Sequence, residues 1–219
     1  MKIALFSDTH TSHGKINIPD ADILIFAGDM THCRTDRDVG KFNNFLGSLP
    51  HKHKIVVAGN HDHRLACCDL EKAKSLLSEA IYLQDEFVVI DGITIYGAPW
   101  QPLFNDVACD AFALPRGKIL KKKWDIIPPE VDILVTHTPP SGILDQNGPV
   151  SHGCTDLAAA VTTIKPKYHI FGHIHNHHGI IQCGATRYIN CNVQGKDGVL
   201  RSALLLDYNS GEILSVESQ

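Results

Sequence analysis

Seven residues that follow short apolar runs combine the ligand types of a transition-metal site. They offer carboxylate, imidazole and amide groups: Asp8, His10, Asp29, Asn60, His137, His173 and His175. This mixture suits Mn, Fe or Zn. The set contains no cysteine, unlike most structural zinc sites, and has too much imidazole for calcium. The sequence therefore predicts two divalent or trivalent transition-metal ions as cofactors, either Mn²⁺, Fe²⁺/Fe³⁺ or Zn²⁺.

The spacing of these residues favours one shared site. Asp8 and His10 lie two residues apart, as do His173 and His175, and an extended segment would turn both side chains of each pair to one side. Two metals about 4 Å apart need a bridging carboxylate, and Asp29 is the natural candidate. His61, next to Asn60, is the candidate general acid or leaving-group stabiliser. We therefore predict His61 and Asp29 as the catalytic residues.

The elements that must position these side chains follow from periodicity. Apolar runs directly before the polar motifs predict strands at 2–7, 23–27, 55–58, 133–136 and 168–171. Amphipathic spacing predicts helices at 36–49, with Thr35 as N-cap, at 70–80 and at 155–165. Further strands are predicted at 87–90, 94–97, 179–183, 186–190 and 202–207, with turns at Asp91-Gly92 and Gly184-Ala185. The pattern indicates one α/β domain over residues 1–219, with two mixed sheets flanked by helices and the motifs at the carboxyl ends of strands.

Composition excludes several classes of protein. The net charge of −4 argues against a general binder of nucleic-acid polymers or membrane surfaces, and the basic run at residues 121–123 is interpreted as a solvated helix face. The seven cysteines show no CxxC spacing, which favours free thiols in a reducing cytoplasm. The apolar stretch 3–6 is too short for a signal-peptide core, and no run is long enough to span a bilayer. A cytoplasmic location without a membrane partner is expected.

The ordered motifs resemble the calcineurin-like metallophosphoesterase superfamily. They are Asp8-x-His10, Gly28-Asp29, Gly59-Asn60-His61-Asp62, His137 after a strand, and Gly172-His173-Ile174-His175. The resemblance implies a four-layer α/β/β/α sandwich. It also implies one metal held by Asp8, His10, Asp29 and His175, and a second held by Asp29, Asn60, His137 and His173. The implied reaction is in-line attack on phosphorus by a metal-bridging hydroxide, without a covalent enzyme intermediate.

A second set of motifs is similar to the MPPED-like branch of that superfamily. It comprises Gly97-Ala98-Pro99-Trp100-Gln101-Pro102, Leu114-Pro115-Arg116-Gly117, Trp124, Asp132-Ile133-Leu134 and Thr136-His137-Thr138-Pro139-Pro140. This resemblance implies hydrolysis of phosphodiesters, cyclic nucleotides included, usually supported by manganese. The expected partner is a small phosphorylated substrate such as a nucleotide diester, and the oligomeric state stays open.

The stretch after Asp29 departs from the pattern of protein serine/threonine phosphatases, which continue Gly-Asp into GDxxDRG. His32 and Cys33 stand where that pattern has Asp and Arg, so the carboxylate that would orient His61 is missing. This argues against a phosphoprotein phosphatase. A phosphomonoesterase or a nuclease with the same metals is the enzymatic alternative. A non-catalytic scaffold on this fold is the other, and retention of all seven ligands and of His61 counts against it.

Several other residues near the motifs have two interpretations. Trp100 and Phe104 are candidates either to stack on a nucleobase or to pack under a loop. Arg116 and Arg187 either bind a phosphate or form surface ion pairs. Outer hydrogen bonding or loop exposure is expected for His13, His32, His63, His152, His177 and His178, and surface or strand-edge positions for His51, His53 and His169. Cys67-Cys68 is predicted at a helix start, without a disulfide between the two neighbours.

Overall fold

The computed structural model describes residues 1–32, 34–104, 110–195 and 198–215, and two six-stranded sheets dominate this part of the chain. The strands in chain order are β1 (Lys2–Phe6), β2 (Ile23–Ala27), β3 (His53–Val57), β4 (Ile81–Tyr82), β5 (Glu86–Ile90), β6 (Ile93–Ala98), β7 (Gln101–Pro102), β8 (Ala113–Leu114), β9 (Ile133–Thr136), β10 (Gln146–Asn147), β11 (Val150–Ser151), β12 (Tyr168–Phe171), β13 (Gly179–Cys183), β14 (Thr186–Asn190), β15 (Leu204–Asp207) and β16 (Ile213–Ser215). The helices are α1 (Asp36–Ser48), α2 (His63–Ala66), α3 (Leu70–Leu76), α4 (Lys118–Asp125) and α5 (Thr155–Ile164), with a 3₁₀ turn at His13–Lys15.

Both sheets are mixed. The first sheet has the order β16-β15-β1-β2-β3-β4, in which β1 to β4 run parallel, β15 is antiparallel to β1, and β16 is antiparallel to β15. The second has the order β13-β14-β12-β9-β6-β5, with antiparallel β13 and β5 at its edges. Since parallel strands end at the same edge of a sheet, the predicted motifs of each sheet leave from one side.

Alternation along the strands divides the interior into three cores. In β1, Ile3 and Leu5 join a core made with Ile133 and Ile170 of the second sheet, so this core lies between the two sheets. Ala4 and Phe6 point the other way and pack with Phe42 and other residues of α1 and α3. A third core lies on the outer face of the second sheet, where Leu134 and Phe171 meet α4 and α5. These layers confirm the four-layer α/β/β/α sandwich.

The two sheets are joined by hydrogen bonds beside the predicted site. Just past β1, the Ser7 backbone N–H donates to Cys191 O at 3.2 Å, and the Val193 N–H donates to Ser7 O at 3.1 Å. Residue 191 follows β14 of the second sheet directly. The carboxyl ends of β1 and β14 are thereby held together, which places the loops of both sheets on one rim.

Local signals explain where several elements begin and turn. The Thr35 hydroxyl accepts from the Asp38 N–H at 3.3 Å, so the predicted N-cap of α1 is confirmed. Asp91 and Gly92 both have positive φ, 48° and 82°, as expected for the tight hairpin turn between β5 and β6. Gly184 makes the corresponding turn between β13 and β14, at φ 59°.

Helix α3 ends at Leu76, although periodicity predicted a helix to residue 80. Leu77 remains fully buried, so the apolar spacing continues while the backbone has left the helix. The Asn43 side chain of α1 explains the difference, because its Oδ1 accepts the Glu79 N–H at 3.0 Å and its Nδ2 donates to the Ser78 hydroxyl at 3.2 Å. A tertiary partner thus takes a backbone donor that a longer helix would have used internally.

The predicted position of Cys67-Cys68 at a helix start is wrong. Cys67 is the C-cap of the four-residue helix α2, and Asp69 is the N-cap of α3, so both cysteines lie in the link between two helices. The described cysteines, Cys67, Cys68, Cys154, Cys183 and Cys191, are free thiols, as predicted. Cys33 and Cys109 lie outside the described residues.

Two of the three histidines predicted at the surface or at a strand edge are buried. His169 is 0% exposed in β12, a central strand, because its ring faces the helix layer between Phe171 and Tyr188. His51 is 4% exposed, with Nε2 3.0 Å from Pro19 O. His53, at the start of β3, is half-buried. Among the described residues, no helix has the length and apolar character needed to cross a bilayer.

Candidate metal centre

All seven predicted ligands meet at the rim where the carboxyl ends of β1, β2, β3, β9 and β12 converge. Asp8 and His10 follow β1, Asp29 follows β2 and Asn60 follows β3. His137 follows β9 directly, and His173 and His175 follow β12 of the same second sheet. The first sheet therefore contributes four of the seven side chains and the second sheet three. Neither sheet alone contains the set.

The backbone at four of these residues is left-handed rather than extended. Asp8, His10, Asp29 and His173 have φ values of 57°, 41°, 62° and 68°. Asp8 and His10 do come together, whereas the His173 ring lies beside Asn60 and the His175 ring beside Asp8. The extended geometry expected for both pairs is wrong. Asp and His are among the non-glycine residues found most often in this region, which costs about 1–3 kcal/mol for an ordinary residue. The tight turns are what bring each side chain back over the end of its strand.

A first group of ligand atoms forms around Asp8. The His175 Nε2 lies 3.4 Å from Asp8 Oδ1, and 3.3 Å from the His10 Nε2. Asp8 is fully buried and accepts from the Ser7 hydroxyl at 2.5 Å and from the His173 N–H at 3.1 Å. Burial acts to raise the pKa of Asp8, but the neighbouring histidines outweigh it and hold that pKa below its usual value. Asp8 is therefore an anion in a pocket of imidazoles.

A second group of ligand atoms forms around Asn60. The Asn60 Oδ1 lies 2.8 Å from both His137 Nε2 and His173 Nδ1. The other ring nitrogen of His137, Nδ1, is 2.8 Å from the Ala27 carbonyl oxygen, an acceptor that requires the proton there. In the neutral ring Nε2 then has a lone pair, directed at another acceptor oxygen. That contact is unfavourable until a cation or a proton lies between the two atoms.

One oxygen of Asp29 faces both groups. Its Oδ2 lies 3.3 Å from His137 Nε2 in the second group and 3.7 Å from His10 Nε2 in the first. The other oxygen, Oδ1, accepts the His61 backbone N–H at 2.8 Å, which fixes the rotation of the carboxylate. Burial acts to raise the pKa of Asp29, but His137 and His10 hold it far below the usual range. The carboxylate expected to bridge two ions thus has one oxygen anchored and one directed at both groups.

The charges of these groups fit a cation-binding role. Burial acts to lower the pKa of His137, yet the Asp29 carboxylate raises it to about 9. Burial lowers the pKa of His173 to about 3, so that ring is neutral. A proton on His137 thus relieves, in the protein alone, the convergence of lone pairs from Asp29, Asn60 and the imidazoles. Asp8, His10 and His175 offer ligand atoms within 4.8 Å of one another, as do Asp8, Asp29 and His137.

Asp62 is a residue whose role the sequence did not predict. It is fully buried, and its Oδ2 accepts the N–H groups of Gly59 at 2.7 Å and Asp29 at 3.0 Å. Its Oδ1 accepts the Met30 N–H at 3.2 Å. Asp62 therefore ties the loop after β2 to the loop after β3. Its place in the Gly59–Asp62 motif was the available signal, since an acidic residue in a tight loop often accepts from backbone donors.

The approach of these two loops also explains Gly59. A Cβ built on Gly59 would lie 2.5 Å from the Asp29 backbone nitrogen and still closer to the Asp29 carboxylate. Only a residue without a side chain lets the loop after β3 pass so near the bridging candidate.

His61 lies at the mouth of the site, not within either group. Its Nε2 is 4.0 Å from Asp29 Oδ2, and its Nδ1 is 3.2 Å from the Nδ1 of His32. Burial lowers the pKa of His61 to about 4, although the Asp29 charge acts in the opposite direction. His61 is therefore a neutral ring that turns one nitrogen toward the ligand atoms and the other toward His32.

A cavity of about 360 Å³ opens directly onto the predicted ligands. Its wall includes Asp29, Asn60, His61, His173 and His175 on one side, and Phe104, Asn147, His152, Ile174 and Asn176 on the other. The Phe104 ring lies nearly parallel to His173, at a centroid distance of 6.1 Å, and 5.3 Å from His152. Phe104 is thus a wall of the cavity beside the second group.

Trp100 does not line this cavity and packs edge-on against Phe112, with 5.8 Å between the ring centroids. Its Nε1 donates to Asp85 at 2.6 Å, and the Lys123 ammonium lies 3.8 Å from the ring centroid. Lys121 and Lys122 are exposed on α4, as predicted for a solvated helix face.

The two candidate arginines differ in their distance from the cavity. Arg116 is exposed near the cavity, 5.6 Å from the Phe104 ring, and donates to Gly153 O at 3.1 Å. Arg187 is the second residue of β14, near the end of the strand opposite the site, and donates to Gly211 O, so it is not placed to bind a phosphate at the site.

Three further histidines near the motifs contact residues other than the predicted ligands. His63 pairs with Asp110 at 3.6 Å, and His178 Nδ1 is 2.7 Å from Asn192 O. His13 packs against Phe42 and Phe45 of α1.

The chain is similar to a known family of proteins. Residues 1–177 match the family model described as Calcineurin-like phosphoesterase. Metallophosphoesterase domain-containing protein 1 of Homo sapiens is 41% identical over 212 residues, which cover 85% of this chain and 64% of the human protein. A UPF0046 protein of Caenorhabditis elegans is 40% identical over 225 residues, covering 93% of this chain and 78% of that one. The chain thus spans less than two thirds of the human relative.

A solved crystal structure supports the fold independently. It is 17% identical and superimposes with a TM-score of 0.69, covering 99% of this chain and 98% of its own. At that identity the likeness concerns the fold alone.

Proposed function

The chain belongs to the calcineurin-like phosphoesterase family, and on that premise we propose that it is a two-metal phosphodiesterase of small substrates such as cyclic nucleotides. Membership supports a metal-dependent phosphoesterase in general. The observation that carries the finer proposal is Asp29, whose Oδ2 lies 3.3 Å from one group of ligand atoms and 3.7 Å from the other. A single oxygen in that position is suited to bridge two ions.

The proposed ligands divide between the two groups around Asp29. Asp8, His10 and His175 would hold one ion and Asn60, His137 and His173 the other, with Asp29 shared. Bound transition-metal ions of this kind supply an activated water nucleophile and neutralise charge on the phosphoryl oxygens. Imidazole, carboxylate and amide together suit Mn²⁺, Fe²⁺/Fe³⁺ or Zn²⁺. The lone pairs of Asp29, Asn60 and the imidazoles that converge there, which a proton on His137 relieves in the protein alone, support the fit.

The chain's own groups would position and complete the reaction. His61 turns Nε2 toward the ligand atoms at 4.0 Å from Asp29, which suits a donor to the leaving-group oxygen. The cavity of about 360 Å³ behind the ligands has room for the rest of a nucleotide-sized substrate, with the Phe104 ring as one wall. The free thiols of the five described cysteines support a reducing compartment such as the cytoplasm.

Asp29→Asn tests the proposal most directly, because it keeps the size of the side chain and removes the bridging charge. We expect Mn²⁺-supported hydrolysis of bis-p-nitrophenyl phosphate to fall at least about 100-fold, since several kcal/mol of transition-state stabilisation depend on the metals. Metal analysis should find fewer than two ions per chain. Asp20→Asn, an exposed position in the loop before β2 and so at the far end of the first sheet, is the matched control.

The same assay separates the alternative activities. Faster cleavage of p-nitrophenyl phosphate than of the diester would replace the proposal by a phosphomonoesterase. Unchanged diester hydrolysis by Asp29→Asn protein would contradict the two-metal site, and no hydrolysis by the unaltered protein with any of the three metals would favour a scaffold.

A further inference from the structure

His32 makes a contact with His61 that the proposed function leaves unexplained. The Nδ1 atoms of the two rings are 3.2 Å apart, a hydrogen-bond distance. The His32 ring also stacks on His10, with 5.1 Å between centroids and 25° between planes, so its orientation is set from two sides. His32 itself is exposed, whereas His61 is largely covered.

This contact determines which nitrogen of His61 has the hydrogen. A hydrogen bond between two neutral Nδ1 atoms needs one donor and one acceptor, so only one of the two rings can have its hydrogen on Nδ1. If His61 were the donor, its Nε2, which lies 4.0 Å from Asp29 Oδ2 on the side of the ligand atoms, would be a bare lone pair and could not donate to a leaving-group oxygen. If His32 is the donor, His61 presents Nε2–H on that side, as the proposed role of His61 requires.

From this geometry we propose that His32 is a positioning residue that donates from Nδ1 to His61 and holds His61 as the Nε2–H tautomer. The inference rests on the proposed function, in which that N–H meets the leaving-group oxygen. The unprotonated Nε2 of His32 is left to solvent, because His32 is the exposed member of the pair. His61 then reaches the leaving group already aligned as a hydrogen-bond donor.

A spectroscopic experiment tests the tautomer without any turnover. In protein loaded with diamagnetic Zn²⁺ and labelled with ¹⁵N-histidine, the ring-nitrogen shifts distinguish protonated from unprotonated atoms. We expect His61 to show a protonated Nε2 and an acceptor Nδ1 in the unaltered protein, and a mixture of tautomers in His32→Leu. A hydrogen on His61 Nδ1 in the unaltered protein would overturn the proposal. Binding of a third Zn²⁺ that shifts both Nδ1 atoms would overturn it as well, since the ion would then explain the contact between the rings.

A kinetic experiment tests whether this tautomer is used. His32→Asn and His32→Leu are matched in size, and the Asn amide nitrogen takes about the place of the imidazole Nδ1. We expect His32→Leu to lower kcat at least about tenfold on cyclic AMP, whose leaving alkoxide needs a donor, with KM nearly unchanged. On bis-p-nitrophenyl phosphate, whose leaving group is a stable anion, the loss should be less than about threefold. His32→Asn should restore kcat on cyclic AMP.

Each result of the kinetic experiment supports or contradicts the positioning role of His32. Equal losses on both substrates, or no rescue by Asn, would mean that His32 only supports the loop, and would overturn the proposal. Hydrolysis of neither diester by the unaltered protein would instead contradict the proposed function, while the nitrogen spectra would still decide the tautomer.

Discussion

Asp62 shows how much of the site depends on a side chain that faces no ligand position. Its two oxygens accept three backbone N–H groups from the loops that present Asp29 and Asn60. Burial and the neighbouring Asp29 charge raise the pKa of Asp62 to about 7. Each of the two carboxylates therefore disfavours ionisation of the other. The carboxyl is kept in this unfavourable place because it aligns two loops at once.

Replacing Asp62 by Ala should therefore reduce both stability and activity. Three buried N–H groups would lose their acceptor, at a cost of at least about 3 kcal/mol in the free energy of unfolding. Asp62→Asn keeps one acceptor oxygen and should cost clearly less. Urea unfolding of the two variants measures the difference, and hydrolysis at a temperature where both are folded measures the effect on the site. Equal stability of Ala and Asn variants would argue against the loop-tying role.

At the scale of elements, strand β12 contributes both to the site and to the buried core. Its carboxyl end leads into His173 and His175, while His169 in its middle is buried against the helix layer. The His169 Nε2 is 2.9 Å from the Thr136 hydroxyl, which itself donates to Thr138 O at 2.7 Å. The turn that presents His137 at the end of β9 is thereby braced from the neighbouring strand.

Burial of His169 predicts a pH-dependent loss of stability. Desolvation lowers the pKa of His169 from 6.5 to about 3, so below pH 6.5 the unfolded chain binds a proton that the folded chain refuses. The free energy of unfolding should fall as the pH decreases from 6.5, and His169 alone should account for about 3 kcal/mol at pH 4. Urea unfolding between pH 7 and 4 measures this slope.

His169→Gln is the control, because its amide nitrogen can replace Nε2 beside Thr136 but does not titrate. Its stability should depend less steeply on pH than that of the unaltered protein. Parallel pH profiles for the two proteins would show that folding leaves the pKa of His169 unchanged, and would contradict this prediction.

For the whole molecule, the ligand positions join the two sheets. Four proposed ligands come from the first sheet and three from the second, and Asp29 faces both. An ion held across this rim would bind the folded chain and not the unfolded one, so binding should add to stability.

Removal of metal should accordingly lower the unfolding temperature. Each ion held at a free concentration of a hundred times its Kd adds about 2.7 kcal/mol, which corresponds to roughly 5–10 °C for a domain of this size. Thermal unfolding with Mn²⁺ and after chelation measures the shift, and Asp29→Asn protein should show less of it. A single transition in both conditions would support the predicted single domain over residues 1–219. Identical unfolding temperatures with and without metal would contradict binding across the rim.

The sequence alone predicted the layers of the fold and the residues of the site. Short apolar runs such as residues 23–27 and 168–171 are typical of buried strands, and each ends in a polar motif. Because parallel strands end at one edge of a sheet, that local pattern was enough to expect Asp8 and Asp29 near each other. The sequence also predicted Thr35 as the N-cap of α1, because a cap depends only on residues that are close in the chain.

Only the tertiary structure decided features that depend on contacts between distant segments. Asn43 ends α3 early, His169 is buried because β12 is a central strand, and His32 meets His61 across two loops. Left-handed turns, not extended chain, bring Asp8 and His10 together. Periodicity reports which side of an element is apolar. It contains no information on which distant side chain satisfies a given donor, and that choice is made when the two sheets pack and their loops meet on one rim.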